Sequence, residues 1–316
     1  MKRKILITGG FGYVGGRVAQ MLAKRKDVQI FLGSRNEQSS PGWLTDASVI
    51  QMDWLSQHSL IQSCKDIDTV VHLAAMNDGE CLRDPVAALE VNAVNTARLV
   101  EAAKTSSVQR FIYVSTAHVY GSKLVGLIDE TTLPKGPHPY ATSHRAAEDI
   151  VLASNTHFIG IVLRLSNGFG VPADPNVNAW MLLTNDLCKQ AVTLRSMTLR
   201  SYGLQQRDFV TLDDVARVVD HMLELPKSKA GDGLFNVGSS YSMRVIDMVE
   251  LIQSRCTKLF NFTPEIIRPK KDDNEMNLDL DYRIDKLLNT NFTLKGDMSS
   301  EIDALLLMCK KNFNQA

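Results

Sequence analysis

A doubly wound α/β fold, a parallel sheet with helices on both faces followed by a smaller loop-rich lobe, is predicted by three observations. Short apolar runs alternate with amphipathic helical patterns through the first half of the chain. The first run, Ile5-Leu6-Ile7, breaks into Gly9, Gly10, Gly12, Gly15 and Gly16 and opens directly into the helical pattern Val14, Val18, Met21, Leu22. From Asn167 the alternation is lost among Pro172, Pro175, Asn176 and Asn178, so two regions are expected, 1–166 and 167–316, the second interleaved with the first.

At 316 residues, 44% hydrophobic and 22% charged, the chain has enough apolar surface for a large core and a second lobe. Lys plus Arg and Asp plus Glu both number 35, so no global field draws it to nucleic acid or to an anionic membrane. Met1-Lys2-Arg3-Lys4 is followed by only three apolar residues before the glycines, too few for a signal peptide, and no later run is long enough to span a bilayer. The five cysteines, Cys64, Cys81, Cys188, Cys256 and Cys309, are scattered and never in a Cys-x-x-Cys spacing, which points to a reducing cytoplasm and no metal site.

The individual elements follow in order. Gly9 permits the tight turn out of the first strand, Gly12 lets backbone approach a pyrophosphate, and Gly15 lets the helix pack closely. The pyrophosphate would rest on the first free N–H groups of the helix, at Tyr13 and Val14. A second strand, Val28 to Leu32, ends at Gly33-Ser34-Arg35, where a dinucleotide fold carries either an acidic residue for a ribose hydroxyl or an arginine for a 2′-phosphate. With no carboxylate there, NADP(H) is favoured and NAD(H) stays open, unless Arg35 is only a solvated loop residue. Ser48 to Asp53 is the third strand, with Trp54 beside it, and Asp68 to Ala75 the fourth, ending in Leu73, Ala74 and Ala75 where cofactor would approach. Arg110 to Thr116 is the fifth strand, Pro139 starts a helix, and His157 to Leu165 is the sixth strand. Later come a strand at Arg207-Asp208-Phe209-Val210 with a helix after it, Phe235 to Val237, a helix from Ser242, and an amphipathic final helix from Ser299 to Lys311.

Thr8-Gly9-Gly10-Phe11-Gly12-Tyr13-Val14-Gly15, His72-Leu73-Ala74-Ala75, Val91-Asn92, Ser115-Thr116-Ala117-His118-Val119-Tyr120-Gly121, Tyr140 and Arg207-Asp208-Phe209-Val210 together resemble the extended short-chain dehydrogenase/reductases. These are Rossmann-type epimerases, dehydratases and ketoreductases of sugar nucleotides, and the resemblance covers nearly the whole chain. It implies Asp53 at the adenine edge, helix capping being the other reading. It implies Asn92 as a tether of the active-site strand, Thr116 as the catalytic hydroxyl and Tyr140 as the acid/base. The family's Tyr-x-x-x-Lys reads Tyr140-x-x-x-His144 here, so His144 is the candidate for holding the nicotinamide ribose and assisting the tyrosine. Substrate contacts are implied for His118, Asn167 and Arg207, the last gripping a nucleotide-sugar diphosphate. A second basic contact falls to Arg268 or Lys271. A homodimer is implied through the helices of 84–104 and 140–154, with Ala87, Ala88, Ala146 and Ala147 allowing close packing.

Dehydration at C4 and C6 in this family needs an Asp-Glu pair where this chain has Ala117 and His118, and alanine donates no proton. Hydride transfer at C4 remains. Histidine lacks the permanent charge that lowers a tyrosine pKa, so the phenol that reduces a ketone is favoured over the tyrosinate that oxidises an alcohol. The expected activity is therefore a 4-ketoreductase. The alternatives are a 4-epimerase with tightly held NAD, and a non-catalytic dinucleotide sensor, against which Thr116 and Tyr140 stand.

Overall fold

The computed structural model describes residues 2–271 and 278–313. Strand β1 (Arg3–Thr8) leads to helix α1 (Tyr13–Leu22), β2 (Val28–Ser34), β3 (Ser48–Gln51), α2 (Gln57–Cys64) and β4 (Thr69–His72). A helical stretch then runs through α3 (Asp78–Arg83), α4 (Pro85–Ala88), a π-helical segment (Leu89–Val94) and α5 (Asn95–Thr105) to β5 (Arg110–Thr116). A 3-10 turn (Ala117–Tyr120), the short β6 (Gly126–Ile128), α6 (Pro139–Leu152) and β7 (Ile159–Leu165) follow. The rest comprises β8 (Asn167–Phe169), α7 (Leu183–Thr193), β9 (Ser196–Thr198), β10 (Gln206–Thr211), α8 (Leu212–Glu224), α9 (Lys227–Ala230) and β11 (Leu234–Val237). After these come β12 (Ser242–Arg244), α10 (Val245–Phe260), β13 (Glu265–Ile267), β14 (Leu280–Tyr282), α11 (Asp285–Leu288) and α12 (Met298–Phe313).

Seven parallel strands form the central sheet in the order β11-β7-β5-β4-β1-β2-β3. Its inner strands are continuous apolar runs because both faces are covered: Ile5, Leu6, Ile7, Val70, Val71, Phe111, Ile112, Ile161 and Val162 are wholly buried. One face packs on α1 and α8 through Val18, Leu22, Val218 and Met222, the other on α2, α5 and α6 through Leu60, Leu99, Ala103 and Val151. Strand order reverses between β1 and β4, and the carboxyl ends on either side of that crevice face the ligand in folds of this kind.

The second lobe has its own core, built from α7, α10 and α12 around Leu187, Val249, Ile252, Ile302 and Leu305. A three-stranded sheet, β12-β10-β8, accompanies it. The chain nevertheless crosses back: β11 pairs with β7 over Leu234–Val237, and α8 packs on α1. Helix α8 forms because Thr211 caps it through the amide of Asp214, Asp213 and Asp214 sit in its first turn, and its apolar residues share one face. The lobes are strapped by Tyr13, whose phenol donates to the Gly170 carbonyl (2.9 Å) and Asn185 Oδ1 (3.1 Å), and by the Arg17–Glu301 pair, whose carboxylate also accepts the Val171 amide.

Two sequence expectations change in detail. The single helix expected after Asp84 is divided by the π segment, although Asp84 does cap its start through the amide of Ala87. Ser242 begins the short strand β12, and the helix starts at Val245. Of the four alanines expected at a dimer face, Ala88 and Ala147 are buried in the chain's own packing, while Leu82, Val86, Leu89 and Val94 stand exposed along the same helical stretch. Among the described residues no helix is long and apolar enough to cross a membrane.

Candidate active site

A cavity of about 710 Å³ opens at the carboxyl ends of β1, β2 and β4, lined by Gly9, Ser34, Arg35, Trp54, Ala74 and Ala75 and closed by Val91 and Asn95. Gly9 has φ +71°, and a Cβ there would lie 2.7 Å from the Leu73 carbonyl carbon; one on Gly15 would lie 2.2 Å from the Gly9 oxygen. Backbone therefore touches backbone across the loop, which only glycine permits. Gly12 begins α1 with no side-chain cap, and the first turn holds no acidic residue, so the N–H groups at Tyr13 and Val14 are left for an anion. These features fit a dinucleotide pyrophosphate. The Tyr13 side chain itself turns away, to the second lobe.

His72 locks the floor of this cavity. Its Nδ1 meets Thr8 Oγ1 at 2.6 Å and its Nε2 meets Thr96 Oγ1 at 2.9 Å, while the Leu73 amide donates to the Thr8 carbonyl. At the β2 end, the Ser34 hydroxyl organises its own loop, donating to the Asn36 carbonyl and accepting from Gln38 Nε2 at 2.6 Å. Arg35 lies exposed on the cavity wall and makes no ion pair or hydrogen bond among the described residues. Asp53 is exposed and its carboxylate accepts the Leu55 amide; the cap of α2 is Ser56, which disposes of the capping alternative.

Thr116 ends β5, and its hydroxyl accepts the His118 amide at 3.1 Å, which leaves its own O–H for the neighbouring Tyr140 phenol. Burial pushes that phenol up to about 12; the Thr116 hydrogen bond pulls it down, and the nearby Cys81 and Asp78 push it up. Pro139 and the capping imidazole of His138, which accepts the Tyr140 amide, fix the first turn of α6. Helix α6 is then pinned along its length. Ser143 Oγ receives Asn92 Nδ2 at 3.0 Å, and Glu148 receives Ser115 Oγ at 2.5 Å and Arg164 through two nitrogens at 2.6–3.1 Å. Asn92 is thus a tether, but not of β5: it joins the Met76 amide to α6 from within the π segment.

His144 is 3% exposed, its ring centroid 4.5 Å from that of Tyr140. Nδ1 is 2.6 Å from the Tyr113 hydroxyl and Nε2 has no partner among the described residues. Burial, and the neighbouring His118, push the imidazole down to about 3, so the charged form weighed as the tyrosine's electrostatic partner is absent at neutral pH.

Across the cleft, Arg207 is partly desolvated, which lowers its pKa, and no carboxylate answers it among the described residues. The two acids that might have paired with it in sequence are engaged: Asp208 with Ser166 and Ser239, and Asp213 with Lys295. Arg207 is near enough to His118 to help hold that imidazole below its usual pKa, after desolvation, while Asp78 opposes both. His118 is exposed and stacks edge-on to Tyr140, with centroids 6.3 Å apart. Asn167 donates through Nδ2 to the Asp208 carbonyl. Arg268 is exposed and lies 4.0 Å over the Tyr202 ring; Lys271 ends the described segment, and Asp272 and Asp273 lie outside the described residues.

Asp78 and His138, 3.4 Å apart beside Tyr140, were not anticipated. The signal for the first was the capping box Asn77-x-x-Glu80, which starts α3 at the cleft. Tyr113 was also missed, because an aromatic residue in an apolar strand reads as core.

Comparison with known proteins agrees with this geometry. The family model described as the NAD dependent epimerase/dehydratase family matches residues 5–238. The human dTDP-D-glucose 4,6-dehydratase is 26% identical over 315 residues, covering 91% of this chain and 80% of that protein. A UDP-glucose 4-epimerase of Erwinia amylovora is 28% identical over 280 residues, covering 79% and 82%. Among solved structures, the UDP-glucuronic acid 4-epimerase of Bacillus cereus in complex with NAD is 25% identical, with a TM-score of 0.77 over 98% of this chain and 99% of that one. MoeE5 in complex with UDP-glucuronic acid and NAD shares the fold at 22% identity, with a TM-score of 0.78 over 98% and 99%. With a matched model spanning most of the sequence, this chain belongs to the NAD dependent epimerase/dehydratase family.

Proposed function

We propose that the protein is a nicotinamide-dependent 4-ketoreductase of a nucleotide-activated sugar, working with NADP(H) in preference to NAD(H). The observation that carries the reading is the state of Tyr140: a phenol pushed up to about 12, bonded to Thr116, with a neutral imidazole where a cation would lower it. At pH 7 only about one molecule in 10⁵ carries tyrosinate, so the group stands ready as an acid and not as a base. Tyr140 gives its proton to the carbonyl oxygen while Thr116 orients that oxygen. A bound reduced nicotinamide supplies the hydride. Arg207, without a carboxylate partner among the described residues, holds the diphosphate, and His118 meets the sugar. Ala117 has no proton to give, which argues against the dehydration for which the human relative is named.

NADP(H) is favoured by Arg35, on the cavity wall at the end of β2 with no ion pair among the described residues, and by the absence of a carboxylate from Gly33-Ser34-Arg35. The exposed apolar side chains of Leu82, Val86, Leu89 and Val94 support a homodimer formed through this helical face.

The test is turnover of a 4-keto nucleotide sugar followed by nicotinamide absorbance. NADPH-dependent reduction, lost by 10²–10⁴-fold in Tyr140→Phe with dinucleotide affinity retained, is expected. Interconversion of C4 epimers without added cofactor, by protein that purifies with NAD, would replace this reading with the epimerase. Equal affinity for both dinucleotides, unchanged by Arg35→Ala, would remove the NADP(H) preference.

A further inference from the structure

We infer that Glu148 is a positioning residue: with Arg164 and Ser115 it forms a buried junction that holds α6 against β5 and so sets where the Tyr140 phenol meets the Thr116 hydroxyl. The kinetic half of this inference rests on the proposed reduction; the structural half does not.

Helix α6 touches β5 through side chains one turn apart. Tyr140 meets Thr116, His144 meets the Tyr113 hydroxyl at 2.6 Å, and Glu148 meets the Ser115 hydroxyl at 2.5 Å. Residues 140, 144 and 148 share one helical face, so the contacts follow one another along it. The last of them also reaches a further strand. Arg164, on β7, donates to the Glu148 carboxylate from Nε at 3.0 and 3.1 Å and from Nη2 at 2.6 Å.

Arg164 is itself held in place. Its guanidinium carbon lies 4.7 Å over the Tyr120 ring, and its carbonyl accepts the Tyr282 phenol at 2.8 Å. Tyr120 donates in turn to Asn236 Oδ1 on β11 at 2.7 Å, and it closes the 3-10 turn that Thr116 caps and that carries His118. The junction therefore ties together the helix bearing Tyr140, the strand end bearing Thr116 and the turn bearing His118. Arg145, 4.0 Å from the same carboxylate, is exposed and bonded to Asp149, and cannot take the place of Arg164.

Stability alone does not call for such a group. Glu148 is 0% and Arg164 2% exposed, and a buried ion pair loses much of its attraction to desolvation, so apolar side chains of similar size often hold a fold as well. They do not reproduce its direction. A carboxylate that takes a hydroxyl on one oxygen and guanidinium nitrogens on both admits a single setting of the helix. The tolerance is small: a roll of α6 by about 10° moves an atom about 6 Å from its axis by about 1 Å. At reacting groups a displacement of that size can cost about 100-fold in rate.

The experiment uses the full chain labelled with ¹³C at the tyrosine Cζ, the carbon that bears the hydroxyl. In ligand-free protein the Tyr140 resonance is assigned by its loss in Tyr140→Phe, and Thr116→Ala shows where it falls without the threonine hydroxyl. The triple variant Ser115→Ala, Glu148→Met, Arg164→Met should keep its melting temperature within a few degrees while the Tyr140 resonance moves toward the Thr116→Ala position. Ser115→Ala alone, which leaves the ion pair intact, should move it part of the way. Reduction of a 4-keto nucleotide sugar by the triple variant should lose about 10–100-fold in kcat with KM and NADPH affinity kept, and adding Thr116→Ala should cost little more. A folded triple variant with the wild-type resonance and kcat overturns the inference, as does a kinetic loss that simply adds to that of Thr116→Ala. A triple variant that melts far lower, with the Tyr140 resonance unmoved in Ser115→Ala, marks a purely structural pair and also overturns it. Absence of turnover with either dinucleotide removes the proposed function and leaves the ligand-free resonance to decide the positioning.

Discussion

Replacing His144 with lysine restores a cation where the imidazole is uncharged, and the consequence for Tyr140 follows from the packing. The two rings are 4.5 Å apart. An ammonium in that space stands about 5 Å from the phenolic oxygen, and at an effective dielectric of about 20 it attracts a tyrosinate by about 3 kcal/mol. One pKa unit is about 1.4 kcal/mol, so a phenol pushed up to about 12 should return to roughly 10, and tyrosinate at neutral pH should rise by about 100-fold. That shift is an upper bound, since burial resists the ammonium and the carboxylate one turn on, Glu148, is already held by Arg164. Oxidation of the sugar alcohol should accelerate with the tyrosinate, while reduction stays level or slows. The assay is a spectrophotometric phenol titration with Tyr140→Phe as the subtraction, alongside the rates of both reactions. A folded His144→Lys protein whose Tyr140 still titrates near 12, with both rates unchanged, would falsify the argument.

Stability should fall in mild acid, because His72 and His144 are both pushed down to about 3 by burial: from pH 6.5 downward the unfolded chain binds two protons that the folded one refuses. Asp208, pushed up to about 6, opposes this by one proton between pH 6 and about 4, so urea midpoints should still drop, and His144→Asn should flatten the slope; an identical slope would mean that His144 titrates normally. Arg207→Ala should weaken binding of uridine diphosphate, used as a diphosphate probe, by about 10–100-fold by calorimetry. Unchanged binding would show that this guanidinium faces no phosphate. Val86→Glu with Leu89→Glu should convert a dimer to monomer by light scattering at micromolar concentration, and a wild type that is already monomeric refutes the proposed face.

The parts legible in the sequence were those set by local spacing. The break from Ile7 into Gly9 requires a turn, the period of Val14, Val18 and Leu22 requires a helix, and the ordered alternation requires a parallel sheet. Tyr140 and Thr116 could be picked out because each sits in a motif with its neighbours. What stayed hidden depended on contacts far apart in the chain. Nothing around His144 announces Tyr113, and the neutrality of the imidazole comes from burial that no local pattern encodes. Asn92 was read as a tether, but its partners at Met76 and Ser143 are chosen by the π segment, which shifts the helix face and which no propensity predicts. That neither neighbouring acid answers Arg207 emerged only once Ser166, Ser239 and Lys295 were seen to occupy Asp208 and Asp213.

The late return of β11 bears on how the chain is made. When Leu165 has left the ribosome, β7 is a bare sheet edge with open N–H and C=O groups, and it stays so until the segment Leu234–Val237 is synthesised. Helix α8, which covers part of the same sheet face, arrives only just before. A fragment ending near residue 166 therefore exposes both an unpaired edge and an uncovered apolar face, the combination that recruits other chains. Nascent protein must wait for its own second lobe to begin before the first sheet can close, which makes this interval of synthesis the period of greatest exposure to aggregation and to chaperones.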